Sequence, residues 1–484
     1  DLSLKNPPLP QPPVQSRMPS RSTAVFHGWW VVLACFVIAC FTWSLGLFGA
    51  SVYLQVVTTE RGWAIGTVAF AITVFYFTSA CLQRLVGRSI DERGPCPVLL
   101  IAAVSLGAGV ALIGQVREPW HLMLCFVLVG IGWSALSTTG LSATVAPWFE
   151  RHQGRSMTLA IMGASVGAMV GVPVLLWLVR HFGMSTGFAI AGLTTTLVLL
   201  PIIAIVLRHK NPQAIGLQRD GDVQAGAGQE RTTAELNEYS RPVPLVAGLG
   251  PAQQPPCAQQ TAASSTSIPS SAAPNPSPAA PAAPLASGLP SRQAAFLLWS
   301  AAVAFALGLM VQIGFATHHV KLALPHMSLT EAGWLVSATG LMGFIGRMVL
   351  ARIVDGTAVR WLAAGALTAQ VLALSAIVIW PTHAVLWVAS LVYGYCVGHV
   401  TTLGPIVVRR EFGAAAFGTR YGKAAMLIQF TSAMGPAFMG FMRDAFEGYA
   451  PVLAVSAVLD LLAVVALIAG RRLALRSLAR QHPT

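Results

Sequence analysis

The sequence predicts an all-α integral membrane protein of twelve transmembrane helices in two six-helix bundles. Three observations predict it. The 484 residues are 55% hydrophobic and 10% charged, with a mean hydropathy of +0.66, whereas a soluble domain is about 25% charged. The apolar residues fall in runs of about twenty, the length that crosses a hydrocarbon core as a helix. The runs divide six and six around a long polar segment rich in Ala, Pro, Ser, Gln and Gly. The formal net charge of +13 does not point to nucleic acid as a partner, because the basic residues gather at the ends of apolar runs.

Each element follows in order. Residues 1–26 are polar and Pro-rich, lack the apolar core of a signal peptide, and are expected to be a disordered cytoplasmic N-terminus. Residues 27–209 form the first bundle, with spans at about 28–53, 64–86, 97–116, 121–145, 156–179 and 185–207. Residues 210–291, with stretches such as Ser264-Ser265-Thr266-Ser267, cannot bury enough apolar surface to fold alone and read as a disordered cytoplasmic linker. Residues 292–472 form the second bundle, with spans at about 293–316, 332–354, 360–380, 384–408, 422–442 and 450–470. Residues 473–484 are a basic cytoplasmic tail. Arg84, Arg88, Arg93, Arg151, Arg155, Arg352, Arg360, Arg409 and Arg410 fall on one side of the membrane. Only Arg61, Arg117, Arg180, Lys321 and Arg443 fall on the other. This bias puts both termini in the cytoplasm of a multi-pass protein of the inner (plasma) membrane. A weak internal repeat links the halves: Gly87-Arg88-Ser89-Ile90-Asp91-Glu92-Arg93-Gly94 ends the second span, and Gly346-Arg347 with Arg352 and Asp355 ends the eighth. Parallel six-helix halves with a solute site between them are a transporter architecture.

The eighth span carries the main functional candidate. Arg347 lies inside an apolar run from about Ala332 to Val354. An intramembrane arginine costs about 2.5–3.5 kcal/mol on insertion scales and usually faces a cavity or a partner. Gly343 and Gly340, four and seven positions earlier, share its helical face and are expected to leave a smooth strip leading to one cation. The functional reading is that Arg347 holds the negative group of a transported solute. The plain reading is an arginine that snorkels to the interface or pairs within the bundle.

At these residues the chain resembles the major facilitator superfamily. Gly87-x-x-x-Asp91-x-x-Gly94 is similar to that family's loop motif between helices two and three, with Pro95 and Cys96 in place of the usual basic residues. The resemblance implies that Asp91, with Gly87, Arg88, Arg93 and Gly94, and Asp355 in the second half, latch one conformation. Gly28-Trp29-Trp30, Trp148-Phe149 with Gly154, Asn211-Pro212 through Asp220-Gly221, Tyr421-Gly422 and Gly435-Pro436 resemble the branch of bacterial monocarboxylate transporters and oxalate–formate antiporters. That branch implies substrate-carboxylate binding by Arg347. The antiporters' second basic residue, on helix eleven, has no counterpart at Ile428 or Gln429. A single cation therefore suits a monoanion better than oxalate. The monocarboxylate transporters' helix-one lysine falls near Leu47, and the aspartate before their helix-eight arginine falls at Gly343, so the resemblance does not imply proton symport by their mechanism.

Trp43, Tyr76, Tyr393 and Tyr395, with Gln312, Gln370 and Gln429, are candidate linings of the solute path, since small-molecule sites are mostly apolar with few polar handles. Asp460, inside the twelfth span, is either a proton carrier made possible by desolvation or a structural partner. His399 reads as hydrogen-bonded in the bundle. His318 and His319 are adjacent and do not share a helical face, which argues against a metal site. Gly163-x-x-x-Gly167-x-x-x-Gly171 reads as a helix-packing ridge. Gly418-Thr419-Arg420-Tyr421-Gly422-Lys423-Ala424 lacks the spacing of a phosphate loop, so no nucleotide or other cofactor is expected. The seven cysteines lack metal-site spacing. The resulting expectation is a monomeric secondary transporter, not an enzyme, of a small organic anion, with a proton or counter-anion as its coupling partner. The competing readings are a drug or cation exporter with Arg347 structural, and a non-transporting solute sensor.

Overall fold

The computed structural model describes residues 26–150, 152–221, 285–354 and 357–481. Among them all regular structure is helical. Eleven helices are long and apolar enough to cross a membrane. In chain order these are α1 (His27–Arg61), α2 (Ile65–Arg93), α3 (Pro95–Ile113), α4 (Pro119–Trp148), the long element Gly154–Val206, α7 (Ser291–Ala323), α8 (Leu329–Ile353), α9 (Val359–Ile379), α10 (His383–Gly413), α11 (Arg420–Phe446) and α12 (Ala450–Arg480). Gly154–Val206 has 53 residues. Straight, it would be about 80 Å long, more than twice a hydrocarbon core. It breaks at Gly183, where φ is 80° and ψ is 168°, a conformation open to glycine. It therefore makes two crossings, α5 (154–182) and α6 (184–206), and the expected twelve are accounted for.

Boundaries differ from expectation in places. Helix α2 runs to Arg93 and stops at Gly94, whose φ of 85° turns the chain into Pro95 at the start of α3. Residues 210–221, expected in the linker, form two 3-10 turns, Pro212–Ile215 and Arg219–Gly221. Asp220 fastens the second to the α4–α5 loop, its Oδ2 accepting the Glu150 N–H at 3.0 Å. Helical backbone continues to Gln481, through most of the expected tail. Residues 1–25, the linker from 222 to 284, Arg151 and Asp355 lie outside the described residues.

Small residues set the closest helix contacts within each half. A Cβ at Gly163, Gly167 or Gly171 of α5 would fall 1.9 Å from the Phe36 oxygen, 2.3 Å from the Cys40 oxygen and 2.4 Å from the Ser44 side chain of α1. The ridge is thus a packing surface. The Ser44 hydroxyl donates to the Cys40 and Gly167 carbonyls at 2.8 and 2.9 Å, where α1 passes through one π turn, Ser44–Phe48. In the second half α8 and α10 meet in the same way: a Cβ at Gly398 would lie 2.2 Å from the Gly343 oxygen, and one at Gly394 2.3 Å from the Thr339 oxygen.

The halves touch along three helix pairs, α1 with α7, α2 with α11 and α5 with α8. Their hydrogen bonds gather at the end opposite the arginine-rich loops. There the Gly66 N–H donates to Asp444 Oδ2 at 2.5 Å, Lys321 Nζ to Thr58 Oγ1 at 3.2 Å, and Arg180 to the Thr330 hydroxyl. Deeper, the Ala437 N–H donates to Thr73 Oγ1 at 3.0 Å. Phe77 and Phe430 still meet, ring centroids 5.2 Å apart. One and two turns further toward the basic end, Cys81 and Arg84 on α2 and Met426 and Lys423 on α11 are all exposed. The molecule is closed at one end and parts toward the basic end.

Candidate functional site

The seam between α5 and α8 carries Arg347. Gly340 lets α8 approach α5 so closely that a Cβ there would sit 2.5 Å from the Ala168 methyl. Two turns toward the basic end, Arg347 Nη2 donates to Ser165 Oγ of α5 at 3.2 Å, across the two halves. Ser165 is buried and Arg347 half-buried. Among the described residues no carboxylate stands within ion-pair distance of Arg347. A single neutral hydroxyl leaves most of the guanidinium's donors without an acceptor among the described residues. The expected smooth strip is not free surface. Gly340 is covered by α5, and Gly343 lies against Gly394 of α10, because close helix contact is the stronger use of a residue with no side chain.

The other candidate linings separate into groups. Tyr395 is brought to the Arg347 turn: its backbone oxygen would lie 2.3 Å from a Cβ at Gly346, and its ring is 4.7 Å from His399. Trp43 and Tyr76 belong to the first half. Trp43 is half-buried with its ring 5.0 Å from Trp133. Tyr76 is buried with its ring 4.2 Å from Phe75 and its hydroxyl unpartnered. Tyr393 and Gln312 are buried inside the second half, Tyr393 with its ring 4.2 Å from Phe315. Gln370 and Asp460 are fully buried in that half, and Gln429 is half-buried on α11.

The loop motif is exposed at the basic end. Arg88 Nε pairs with Glu92 Oε1 at 2.6 Å on its own helix. Asp91 and Arg93 are exposed, and the Asp91 carbonyl accepts from Lys210 Nζ. Gly87 has open space where a Cβ would stand. Asp355 is outside the described residues. The histidines have protein partners: His318 Nδ1 and Nε2 lie 3.0 Å from the Tyr449 hydroxyl and 3.1 Å from the Pro436 oxygen, and His319 Nε2 lies 3.0 Å from Ser390 Oγ. His399 Nδ1 is 3.1 Å from the Tyr395 oxygen of its own helix.

One charged site was not legible in the sequence. Arg360, counted among the loop charges, is 3% exposed and lies 2.6 Å from Glu411, itself 9% exposed. Its Nη1 donates to Ser300 Oγ at 3.2 Å and the Leu467 oxygen at 3.0 Å, and its Nη2 donates to the Leu297 oxygen. Four helices, α7, α9, α10 and α12, are tied at this point. The signal in the sequence was a single acidic residue, Glu411, after Arg409 and Arg410 at the end of an apolar run.

The family model described as Major Facilitator Superfamily matches residues 32–323. The riboflavin transporter MCH5 of Saccharomyces cerevisiae is 26% identical over 212 residues, 41% of this chain and 39% of that protein. The multidrug resistance protein MdtH of Shigella dysenteriae is 30% identical over 122 residues, 25% of this chain and 30% of that protein. The chain thus spans well under half the length of these curated relatives. Among solved structures, the inward-open xylose transporter XylE from E. coli matches with a TM-score of 0.64 at 10% identity, covering 91% of this chain and 95% of that one. The nucleoside transporter NupG matches with a TM-score of 0.63 at 11% identity, covering 93% and 100%. These likenesses are likenesses of fold.

Proposed function

The chain belongs to the Major Facilitator Superfamily, and within it we propose a secondary active transporter of a small organic anion, most simply a monocarboxylate. Both termini would lie in the cytoplasm of a plasma-membrane protein. The observation that carries this reading is Arg347, a cation on the seam between the halves whose protein partner is the Ser165 hydroxyl at 3.2 Å. An intramembrane guanidinium without a carboxylate partner among the described residues is suited to an anion from outside the protein. A substrate carboxylate would accept charge-assisted hydrogen bonds from it. The neighbouring Tyr395 turn supplies an aromatic wall, and Trp43 and Tyr76 supply candidates from the facing half. Binding at the seam couples cargo to the rocking of one half against the other. Symport and exchange both fit this geometry.

The test is uptake of radiolabelled pyruvate and lactate into proteoliposomes. Losing a hydrogen bond to a charged group costs about 1.5–3 kcal/mol, so Arg347→Ala should lower uptake by roughly 10- to 150-fold. Arg347→Lys should retain part of it. Uptake unchanged in Arg347→Ala would overturn the assignment. A second reading is favoured by the MdtH and MCH5 matches: a larger organic cargo, with the Arg347–Ser165 bond purely structural. Riboflavin or drug transport by the wild type, undiminished in Arg347→Ala, would establish it instead.

A further inference from the structure

Gly308 of α7 marks a second polar site, away from the seam. A Cβ at Gly308 would touch Leu367 of α9, Val400 of α10 and Asp460 Oδ1 of α12, at 2.7, 3.8 and 3.9 Å. Four helices of the second half therefore converge there. Around this point stand Asp460 at 0% exposure, Gln370 at 0%, Tyr393 at 1% and Gln312 at 4%. Among the described residues, none gives a hydrogen-bond partner to any polar side-chain atom of these four.

They also lie at similar distances along their helices. Gln312 is eleven residues before Ala323 at the end of α7, and Gln370 is nine before Ile379 at the end of α9. Tyr393 is ten residues after His383, the start of α10, and Asp460 is ten after Ala450, the start of α12. At 1.5 Å per residue each lies about 14–17 Å along its helix from the terminus at the end away from the basic loops. Sequence neighbours aim the side chains together: Gln312 is one turn from Gly308, Gln370 one turn from Leu367, and Tyr393 two turns from Val400. Asp460 is within electrostatic reach of Tyr393 and Cys396.

Buried polar atoms are nearly always paired, and each unpaired one costs about 1–3 kcal/mol. Four such side chains, on the four helices that converge at Gly308, mark a buried polar region inside the second half. The single carboxylate decides its ligand. An ionised, unpaired carboxylate is far more costly to bury than a neutral acid. Among the described residues the titratable groups within its electrostatic reach are Tyr393 and Cys396 of α10; α7 presents Gly308 and Gln312, and α9 presents Leu367 and Gln370. The Arg360 guanidinium meets α12 two turns away at Leu467 and faces Glu411 at 2.6 Å. We propose that the Asp460–Gln370–Gln312–Tyr393 region is a proton-binding site. Asp460 takes up one proton to become a neutral carboxylic acid, and the two carboxamides and the phenol are the unpartnered neutral polar groups that share its buried interior. The site goes beyond the anion reading and does not depend on which cargo Arg347 holds.

The test is infrared difference spectroscopy of the full chain in nanodiscs, titrated with alkali in choline and in sodium buffer. The wild type should show a neutral-carboxyl band at neutral pH that shifts in D2O and disappears on titration, and Asp460→Asn should lose it. Gln370→Leu and Tyr393→Phe keep the carboxyl and should move the titration midpoint. These two variants carry the test if Asp460→Asn does not fold. Identical spectra in wild type and Asp460→Asn would overturn the proposal. So would a midpoint indifferent to both Gln370→Leu and Tyr393→Phe. Loss of the band on adding sodium at neutral pH would also overturn it, in favour of a metal-cation site. Arg347→Ala should leave the band in place, so failure here and failure of the anion reading are separable.

Discussion

At the residue scale, two arginines of one half meet opposite fates. Arg360 faces a carboxylate 2.6 Å away and three further acceptors, and is sealed at 3% exposure. Arg347 has a serine and stays half-buried. A cation locked by a carboxylate serves structure, and one held by a hydroxyl remains available to a mobile anion. The Arg360–Glu411 pair gives a stability prediction. Removing one partner of a buried pair costs about 3–5 kcal/mol, whereas replacing both with apolar residues is often neutral. Glu411→Leu should therefore lower the thermal unfolding midpoint of the detergent-solubilised protein sharply. The double variant Arg360→Met/Glu411→Leu should recover most of the loss. A double variant as unstable as the single would show that the two groups do not act as a pair.

At the element scale, the glycines do two kinds of work that the chain order does not separate. Gly398 is pressed against α8, with only 2.2 Å between its would-be Cβ and the Gly343 oxygen. Gly365 of α9 is exposed, with nothing within 4 Å. Overpacking a close contact costs about 1–3 kcal/mol, while relieving a helix of glycine gains up to about 1 kcal/mol. Gly398→Ala should destabilise and Gly365→Ala should hold or improve stability in the same thermal assay. Equal effects would mean that the α8–α10 contact is looser than described. The break between α5 and α6 was foreseeable, because 53 apolar residues without a turn exceed any bilayer; its position at Gly183 follows from a φ of 80°.

At the scale of the whole molecule, closure rests on a few polar contacts at the end away from the basic loops. Asp444 is central to it, accepting the Gly66 N–H at the start of α2. A hydrogen bond to a charged group is worth about 1.5–3 kcal/mol, enough to shift a two-state population by roughly tenfold or more. Asp444→Ala should raise the fraction of molecules open at that end. Spin labels at Arg61 and Ala445 should then report a longer distance; an unchanged distribution would show that apolar packing alone, such as Gly440 on Ala69, keeps this end shut. In the closed arrangement the Asp91 motif stands exposed at the basic end.

The amino-acid order alone determined the membrane, the twelve crossings and the six-plus-six division, because hydrocarbon thickness and helical rise leave long apolar runs few alternatives. It also singled out Arg347 and Asp460, since a charge inside such a run is costly wherever the helix goes. Tertiary structure decided what each charge meets. It moved Arg360 from a loop into a sealed pair and set Arg347 opposite Ser165. It also buried Tyr393 and Gln312, expected on a cargo wall, inside the second half. Partners such as Ser165 and Glu411 are separated from their arginines by 182 and 51 positions. Neither run length nor periodicity carries information across such gaps; only the packing of helices against one another does.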